Sequence, residues 1–370
     1  MVNRKKDETK LKIKRLGDGV VKDINKHTNP SIEIPTRSLS NVHFNEAKSI
    51  IELGKDTQQR YFFNVGQAKK FMQTLLIAGA CDELLDSGKT TSIRDLYYMT
   101  KHSIGKSKEN TFDDQTESDP IIEDLEVTID ALREELNLFA SNRGAMVGNM
   151  KVIDYGVNKD GDKIDLSKMG SGGWSIPSIV ENDIIEFKDC TAKFILMVEK
   201  DAVWRRLNED GFWKKHNCLL MHGQGMAPRG ARRLLHRLVN EFKLPLYVFV
   251  DQDPWGLYIY SVIKQGSINL AYESQRMAVP SAKFIGLSAF DKEKYKLPDN
   301  VTIRLNEQDK SRAKQILEYP WFQKKEWQKE LKKMMSNGYK LELEALSSKG
   351  ISFVTEKYLP EKIKNKDWLD

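Results

Sequence analysis

Leu246-Tyr-Val-Phe-Val-Asp-Gln-Asp-Pro-Trp-Gly256 is the stretch on which the reading of this chain turns. An uninterrupted apolar and aromatic run of strand length ends on two carboxylates, and Pro254 then opens a helix to about Lys264. The same grammar occurs twice upstream. Phe194-Ile-Leu-Met-Val198 is followed by Glu199 and a helix near Ala202–Leu207, and Cys218-Leu-Leu-Met221 by a glycine turn and the helix Arg229–Phe242. Ala282-Lys-Phe-Ile-Gly-Leu287 predicts one more strand, and the tail from about Ser311 reads as helical and rich in Lys and Trp. Continuous apolar strands alternating with helices predict a parallel sheet buried on both faces.

Upstream of this α/β region, over 190–370, the period differs. Residues 1–65 read as an arm or small subdomain, with Ile32–Asn41 extended. From Gly66, Phe71, Leu75, Ala78 and Leu85 fall at helical spacing, and Ser87-Gly88 ends the run. Ser92-Ile-Arg-Asp95 has capping-box form and opens a short second helix through Tyr97-Tyr98-Met99. Asp119-Pro120 reads as the start of a third helix carrying Ile121, Leu125, Ile129, Leu132 and Leu136. Arg143–Gly148 and Lys151–Asp154 read as a β-hairpin. Three helices and a hairpin wing, over 66–155, predict a winged helix-turn-helix of the DNA-docking kind, and 156–189 a linker.

Composition bounds the function. With 370 residues, 40% of them hydrophobic and 30% charged, the chain predicts two or three globular domains. No apolar run approaches the ~18 residues of a membrane helix, and Met1-Val-Asn-Arg-Lys-Lys6 has no secretory apolar region, so no membrane partner is expected. Cys81, Cys190 and Cys218 form no CxxC pair, which argues against a disulfide framework or a cysteine-rich zinc site and for a reducing, cytoplasmic setting. Net charge is +6, and residues 1–26 hold nine Lys/Arg against four Asp/Glu, so most of the surplus sits in the arm. That charge points to a polyanion. The arm also spaces Leu11, Ile13, Leu16, Val20, Val21 and Ile24 like a helix that docks on another protein.

Two constellations carry chemistry. Glu199, Asp251 and Asp253 all follow buried strands, and open α/β sheets bind ligands at the carboxyl ends of their strands. Three converging carboxylates call for a compensating cation, and an oxygen-only donor set suits Mg²⁺. Arg94 and Tyr98, four apart, share a helix face where a guanidinium can hold a phosphate and a phenol oxygen can attack it. Other motifs fall away. Ser87-Gly-Lys-Thr90 resembles a P-loop end but has Glu83 where the first glycine belongs, and Gly223-Gln-Gly225 has Pro228 at the third glycine of a dinucleotide fingerprint. The histidines (His27, His43, His102, His216, His222, His236) show no metal-ligand spacing.

Taken together, Glu199, Gly223/Gly225 and Asp251-x-Asp253-Pro-Trp-Gly256 look like a Toprim domain. Joined to Arg94-Asp-Leu-Tyr-Tyr98, Ile34-Pro-Thr-Arg37, Met169-Gly-Ser-Gly-Gly173 and Tyr319-Pro-Trp-Phe322, they resemble the A-subunit family of archaeal-type DNA topoisomerase VI over essentially the whole chain. Gln252, His222 and Gln224 depart from the family's usual residues. The resemblance implies an N-terminal arm that docks a partner, a winged-helix (CAP-like) domain with catalytic Tyr98 and Arg94, and a Rossmann-like Toprim domain holding Mg²⁺ through Glu199, Asp251 and Asp253. It further implies duplex DNA as substrate, a homodimer of A subunits, and a GHKL-type ATPase B subunit that binds ATP in an A2B2 heterotetramer at the nucleoid. The alternatives are a single-use double-strand-break transesterase and a non-catalytic DNA-binding scaffold.

Overall fold

The computed structural model describes residues 2–370, with side chains from residue 6 onward. It divides into two compact units. The first takes residues up to Val42 and Leu53–Ser141, and the second His43–Glu52 and Asn142–Asp370.

The first unit opens with a long helix, α1 (Val2–Asn25). Four short strands follow along the chain, β1 (Ser31–Pro35), β2 (Val42–Asn45), β3 (Ile50–Leu53) and β4 (Thr57–Tyr61). β1 pairs antiparallel with β4 in the first unit, whereas β2 and β3 pair with one another and lie almost wholly in the second. Helix α2 (Val65–Ser87) is capped by the Asn64 side chain and ends at Gly88 with φ +64°, a left-handed cap that glycine adopts without strain. The P-loop lookalike is therefore this helix stop. After β5 (Thr91–Ser92) comes α3 (Ile93–Thr100), whose Ser92 hydroxyl accepts from Asp95 N at 3.0 Å, as the capping-box spacing predicts.

α4 (Gln115–Thr128) starts earlier than the Asp119-Pro120 signal implies. The Asp114 side chain caps it by accepting from Thr116 N, and Pro120 lies inside the helix. Ile129 already closes the helix, and Leu136 lies in a separate 3-10 turn. β6 (Leu138–Phe139) pairs with β5. Ile77, Cys81, Leu96, Tyr97, Ile122 and Leu125 join α2, α3 and α4 in one core.

The Ile34-Pro-Thr-Arg37 motif is explained by packing. Ile34 is fully buried, and Arg37 binds Glu123 and Asp124 of α4, the second of which also binds Arg60 of β4. The apolar stripe of α1 is likewise used within the unit: Ile13 and Val20 are core residues with Leu16 packed beside them. Leu11, Val21 and Ile24 remain exposed.

In the second unit β7 (Ala145–Val147) and β8 (Met150–Asp154) do not form the expected wing. β7 pairs antiparallel with the strand Leu219–His222, and β8 joins a different sheet. All three residues of β7 are buried, which suits a strand covered on both faces and not a hairpin with one face in water. Gly148 makes the parting possible: a Cβ there would lie 2.7 Å from the Cys218 carbonyl oxygen. The stretch 156–189, expected as a linker, carries β9 (Asp162–Asp165), β10 (Trp174–Ser175) and the start of β11 (Ile185–Cys190). β8 sits between β11 and β9 in a three-stranded antiparallel sheet.

The parallel sheet follows the sequence closely. β12 (Ile195–Val198), β13 (Leu219–His222), β14 (Leu246–Phe249) and β15 (Lys283–Gly286) are parallel in the order β13-β12-β14-β15, and β7 and β10 extend the β13 edge. Every residue of β12, β13 and β14 is buried. The intervening helices are α5 (Asp201–Glu209), α6 (Phe212–His216), α7 (Arg229–Phe242) and α8 (Pro254–Gln265). The C-terminal region adds helices at Glu307–Glu318 and Lys325–Asn337, and its Leu341 and Leu343 enter the core beneath β12 and β14. Among the described residues no helix is long and apolar enough to cross a membrane.

Candidate active-site residues

Glu199 and Asp251 lie at the carboxyl ends of the neighbouring strands β12 and β14 and are tied directly to one another. Glu199 N donates to Phe249 O at 2.9 Å, and Asp251 N donates to Glu199 Oε2 at 3.0 Å. Asp251 Oδ1 accepts from Leu343 N at 2.8 Å, and its Oδ2 lies 3.0 Å from Lys200 Nζ. Asp253 caps α8, its Oδ1 accepting from Gly256 N at 2.6 Å. Gly256 fits because a Cβ would lie 2.3 Å from Asp251 O. On the other side Gly225, at φ +85°, donates its N–H to Glu199 O at 3.0 Å. Gly256 thus permits a close backbone approach and Gly225 a left-handed turn, and both fold loops against the strand ends that carry the carboxylates.

The three carboxylates share one electrostatic environment. Burial, then the Asp251 charge, raises the Glu199 pKa to about 7, against the opposing hydrogen bond from Asp251 N. Burial raises Asp251 to about 6 even though Leu343 N and Lys200 oppose it. Burial also raises Asp253, against its bond from Gly256 N. Desolvated oxygen donors that resist ionisation fit a hard divalent cation, which would favour their charged forms. Among the described residues no three His, Cys, Asp or Glu side chains are already arranged as a metal-ligand group. Asp251 is partly engaged by Lys200.

Lys200 also lies 3.1 Å from Glu342 Oε2 and 2.8 Å from Glu344 Oε2. Sequence reasoning passed over all three residues. Lys200 adjoins Glu199, but Glu342 and Glu344 reach the site only because Leu341 pairs with Gln252. Their alternation with Leu341 and Leu343 is the sequence signal, apolar residues turned to the core and the glutamates to the rim, although Glu344 already lies in the 3-10 helix Leu343–Lys349. His222, at the end of β13, is buried with Nε2 3.4 Å from Asp201 Oδ1. Gln252 is wholly buried, with no partner among the described residues for either amide atom.

In the first unit α3 separates its two tyrosines. Tyr97 is in the core; its hydroxyl donates to Asp113 O at 3.0 Å and accepts from Lys101 Nζ at 2.7 Å. Tyr98 is 60% exposed, its ring edge-on to Tyr97 at 4.9 Å. Arg94, one turn earlier, is exposed too. The helix therefore offers solvent one guanidinium and one phenol hydroxyl, while the adjacent tyrosine anchors it.

Comparison with known proteins agrees along the chain. Residues 194–363 match the model for the Toprim domain of topoisomerase 6 A subunits and Spo11, and residues 69–138 the model named type IIB DNA topoisomerase. Residues 142–191 match the all-beta domain in DNA topoisomerase VI alpha subunit, which is where the structure places strands instead of a wing and linker. Relatives named as the A subunit of type 2 DNA topoisomerase 6 include those of Pyrococcus abyssi, 44% identical, and Hyperthermus butylicus, 43% identical, each alignment covering 95% of this chain and 93% of the relative. That of Methanocaldococcus jannaschii is 37% identical over 97% of this chain and 96% of its own. With such identity over 95% of its length and family models matching 69–138, 142–191 and 194–363, the chain belongs to the A-subunit family of topoisomerase 6, among the type IIB DNA topoisomerases.

Proposed function

We propose that this chain is the DNA-cleaving and rejoining subunit of an ATP-dependent type IIB topoisomerase. The observation that carries the reading is the pairing of functions within one family member: a buried carboxylate crevice at strand ends, and an exposed tyrosine held on a helix by a buried one. Tyr98 is the nucleophile. Its oxygen forms a bond to phosphorus, the phosphorus bond to the 3′ oxygen breaks, and the 5′ end stays on the protein as a phosphotyrosine that keeps the phosphodiester energy for resealing. Arg94 orients the phosphate and offsets its charge.

Glu199 and Asp251 would hold Mg²⁺ most directly, with Asp253 ligating or acting through water. Bound there, the cation would supply positive charge to offset that building on the scissile phosphate and the leaving oxygen. Glu199 is also the crevice carboxylate we assign to exchange a proton with that 3′ oxygen. Two such chains cut the two strands, and each Tyr98 works opposite the crevice of the other protomer. ATP is bound by a GHKL-type B subunit in an A2B2 assembly acting on DNA at the nucleoid. We assign B-subunit docking to the arm region, where Val21, Ile24, Phe63 and Val65 stay exposed although Ile13 and Val20 are buried.

The test combines the chain with its ATPase partner, ATP, Mg²⁺ and supercoiled plasmid. Relaxed product over many turnovers, with protein-linked linear DNA trapped by denaturant, is the expected result. Linear DNA without resealing would identify the single-use transesterase instead, and unaltered plasmid a scaffold.

A further inference from the structure

An acidic crevice has to fold and persist before any divalent cation enters it, and Lys200 is placed for that task. Its ammonium contacts three carboxylates from two distant segments, Asp251 at 3.0 Å, Glu342 at 3.1 Å and Glu344 at 2.8 Å. The side chain is 23% exposed. A lysine at neutral pH carries a full positive charge.

Backbone bonds fix the geometry. Gln252 N donates to Leu341 O at 2.9 Å, Leu341 N to Gln252 O at 3.2 Å, and Leu343 N to Asp251 Oδ1 at 2.8 Å. The segment carrying the two glutamates is therefore fastened to the loop carrying the two aspartates. A lysine serving only to strap them together would need one partner on each side. This one has two exposed glutamates on the rim and, within the crevice, the carboxylate that the metal would also use. A divalent cation and an ammonium repel one another across a few ångströms, so both cannot keep Asp251 at full strength.

We propose that Lys200 is the built-in counter-cation of the crevice, neutralising Asp251 in the metal-free chain and yielding it to the divalent cation while Glu342 and Glu344 retain the ammonium at the rim. This rests on reading Glu199 and Asp251 as metal ligands. Lys200 then competes with Mg²⁺, and part of the metal's affinity is set by a residue that never binds it. Charge neutralisation also explains how a sheet can end in Glu199, Asp251 and Asp253 at once without the strand ends being forced apart.

The experiment uses the full chain without DNA or its partner. Mg²⁺ binding is measured by calorimetry, and melting is followed in EDTA and in Mg²⁺, for wild type, Lys200→Met, Lys200→Arg and Glu199→Gln/Asp251→Asn. The expected result is that Lys200→Met melts lower in EDTA, binds Mg²⁺ about 5-fold tighter and gains more in melting temperature from Mg²⁺ than wild type. Lys200→Arg should stay close to wild type. Equal or weaker Mg²⁺ binding in Lys200→Met, with the same melting loss in both buffers, would overturn the proposal and leave Lys200 a strap. Wild-type binding that survives Glu199→Gln/Asp251→Asn would instead sink the metal assignment, and the proposal with it. Should Lys200→Met not fold, Glu342→Gln/Glu344→Gln decides. Concentrating the ammonium on Asp251 should weaken Mg²⁺ binding, and unchanged or tighter binding would refute competition.

Discussion

The carboxylate crevice and the tyrosine helix are built by opposite means. Glu199 and Asp251 continue strands whose every residue is buried, and their oxygens are already committed to Asp251 N, Leu343 N and Lys200. Tyr98 rides on the eight-residue helix α3, 60% exposed, its ring edge-on to that of Tyr97. The difference follows from the chemistry. A cation site gains from desolvated, prearranged donors and stores electrostatic stress in the core. A nucleophile that must reach a macromolecule has to stay outside. Substitutions in the crevice should therefore register in stability and in activity, and those at Tyr98 in activity alone.

The largest effect expected is at Tyr98. Tyr98→Phe should eliminate covalent protein–DNA complexes, with melting unchanged to within about 0.5 kcal/mol because no buried contact is lost. Denaturing gels and melts on one preparation check both halves. Adducts that persist in this variant would move the nucleophile elsewhere, and a large melting change would erase the contrast between the two regions.

Next come the ligands. Glu199→Gln and Asp251→Asn should each lower cleavage by about 100-fold or more at low Mg²⁺, since a hard cation loses a charged donor. Asp253→Asn should be milder, because asparagine also caps helices and the bond to Gly256 N survives. Cleavage measured across a Mg²⁺ series separates the three; normal cutting by either of the first two at low Mg²⁺ would remove that residue from the site.

Gly256→Ala tests how rigidly the crevice is built. Its Cβ would meet backbone atoms of Asp251 at 2.3 and 3.1 Å, and backbone cannot swing aside as a side chain can. A loss of roughly 2 kcal/mol in chemical denaturation is expected, as for other overpacked sites. A neutral result would mean that the loop between the aspartates gives way easily.

The same contrast governs what could be read from sequence. The strands β12, β13, β14 and β15 were legible because burial on both faces leaves a continuous apolar run, and their helices because the 3.6 period returns after each. The carboxylates were legible for the same reason, as polar residues where an apolar run stops. α3 was legible through its cap at Ser92. Three things were not. The Asp119-Pro120 signal misplaced the start of α4 because Asp114 caps a turn sooner and the helix tolerates Pro120. Ala145-Met-Val147 and Met150–Asp154 read as a hairpin because they are adjacent in sequence, yet β7 pairs with β13 and β8 lies between β9 and β11, a choice made by tertiary burial. The Glu342–Lys200–Glu344 group spans some 140 residues of chain, and no local pattern could bring it together.

The smallest effect expected is a pH slope, and its sign follows from the direction of the shifts. Glu199, raised to about 7, and Asp251, raised to about 6, keep protons in the folded chain at pH values where the unfolded chain has released them. In this window the folded state binds more protons, so metal-free stability falls as pH rises from the ordinary carboxylate range to about 7, then levels off. Lys200 adds no slope there, because a lysine is charged in both the folded and the unfolded state throughout this range. Glu330, on the buried face of the helix Lys325–Asn337 and raised to about 7 by burial, adds to the fall, so the contribution of Glu199 is read as the difference from Glu199→Gln. In EDTA between pH 4.5 and 8, that variant should lose on the order of 1 kcal/mol less stability than wild type. Mg²⁺ should offset the wild-type fall over the same interval, since a bound cation favours the ionised carboxylates. Identical slopes for the two chains in EDTA would show that Glu199 carries no stored charge stress, and the distinction between a strained crevice and a relaxed tyrosine helix would then rest on geometry alone.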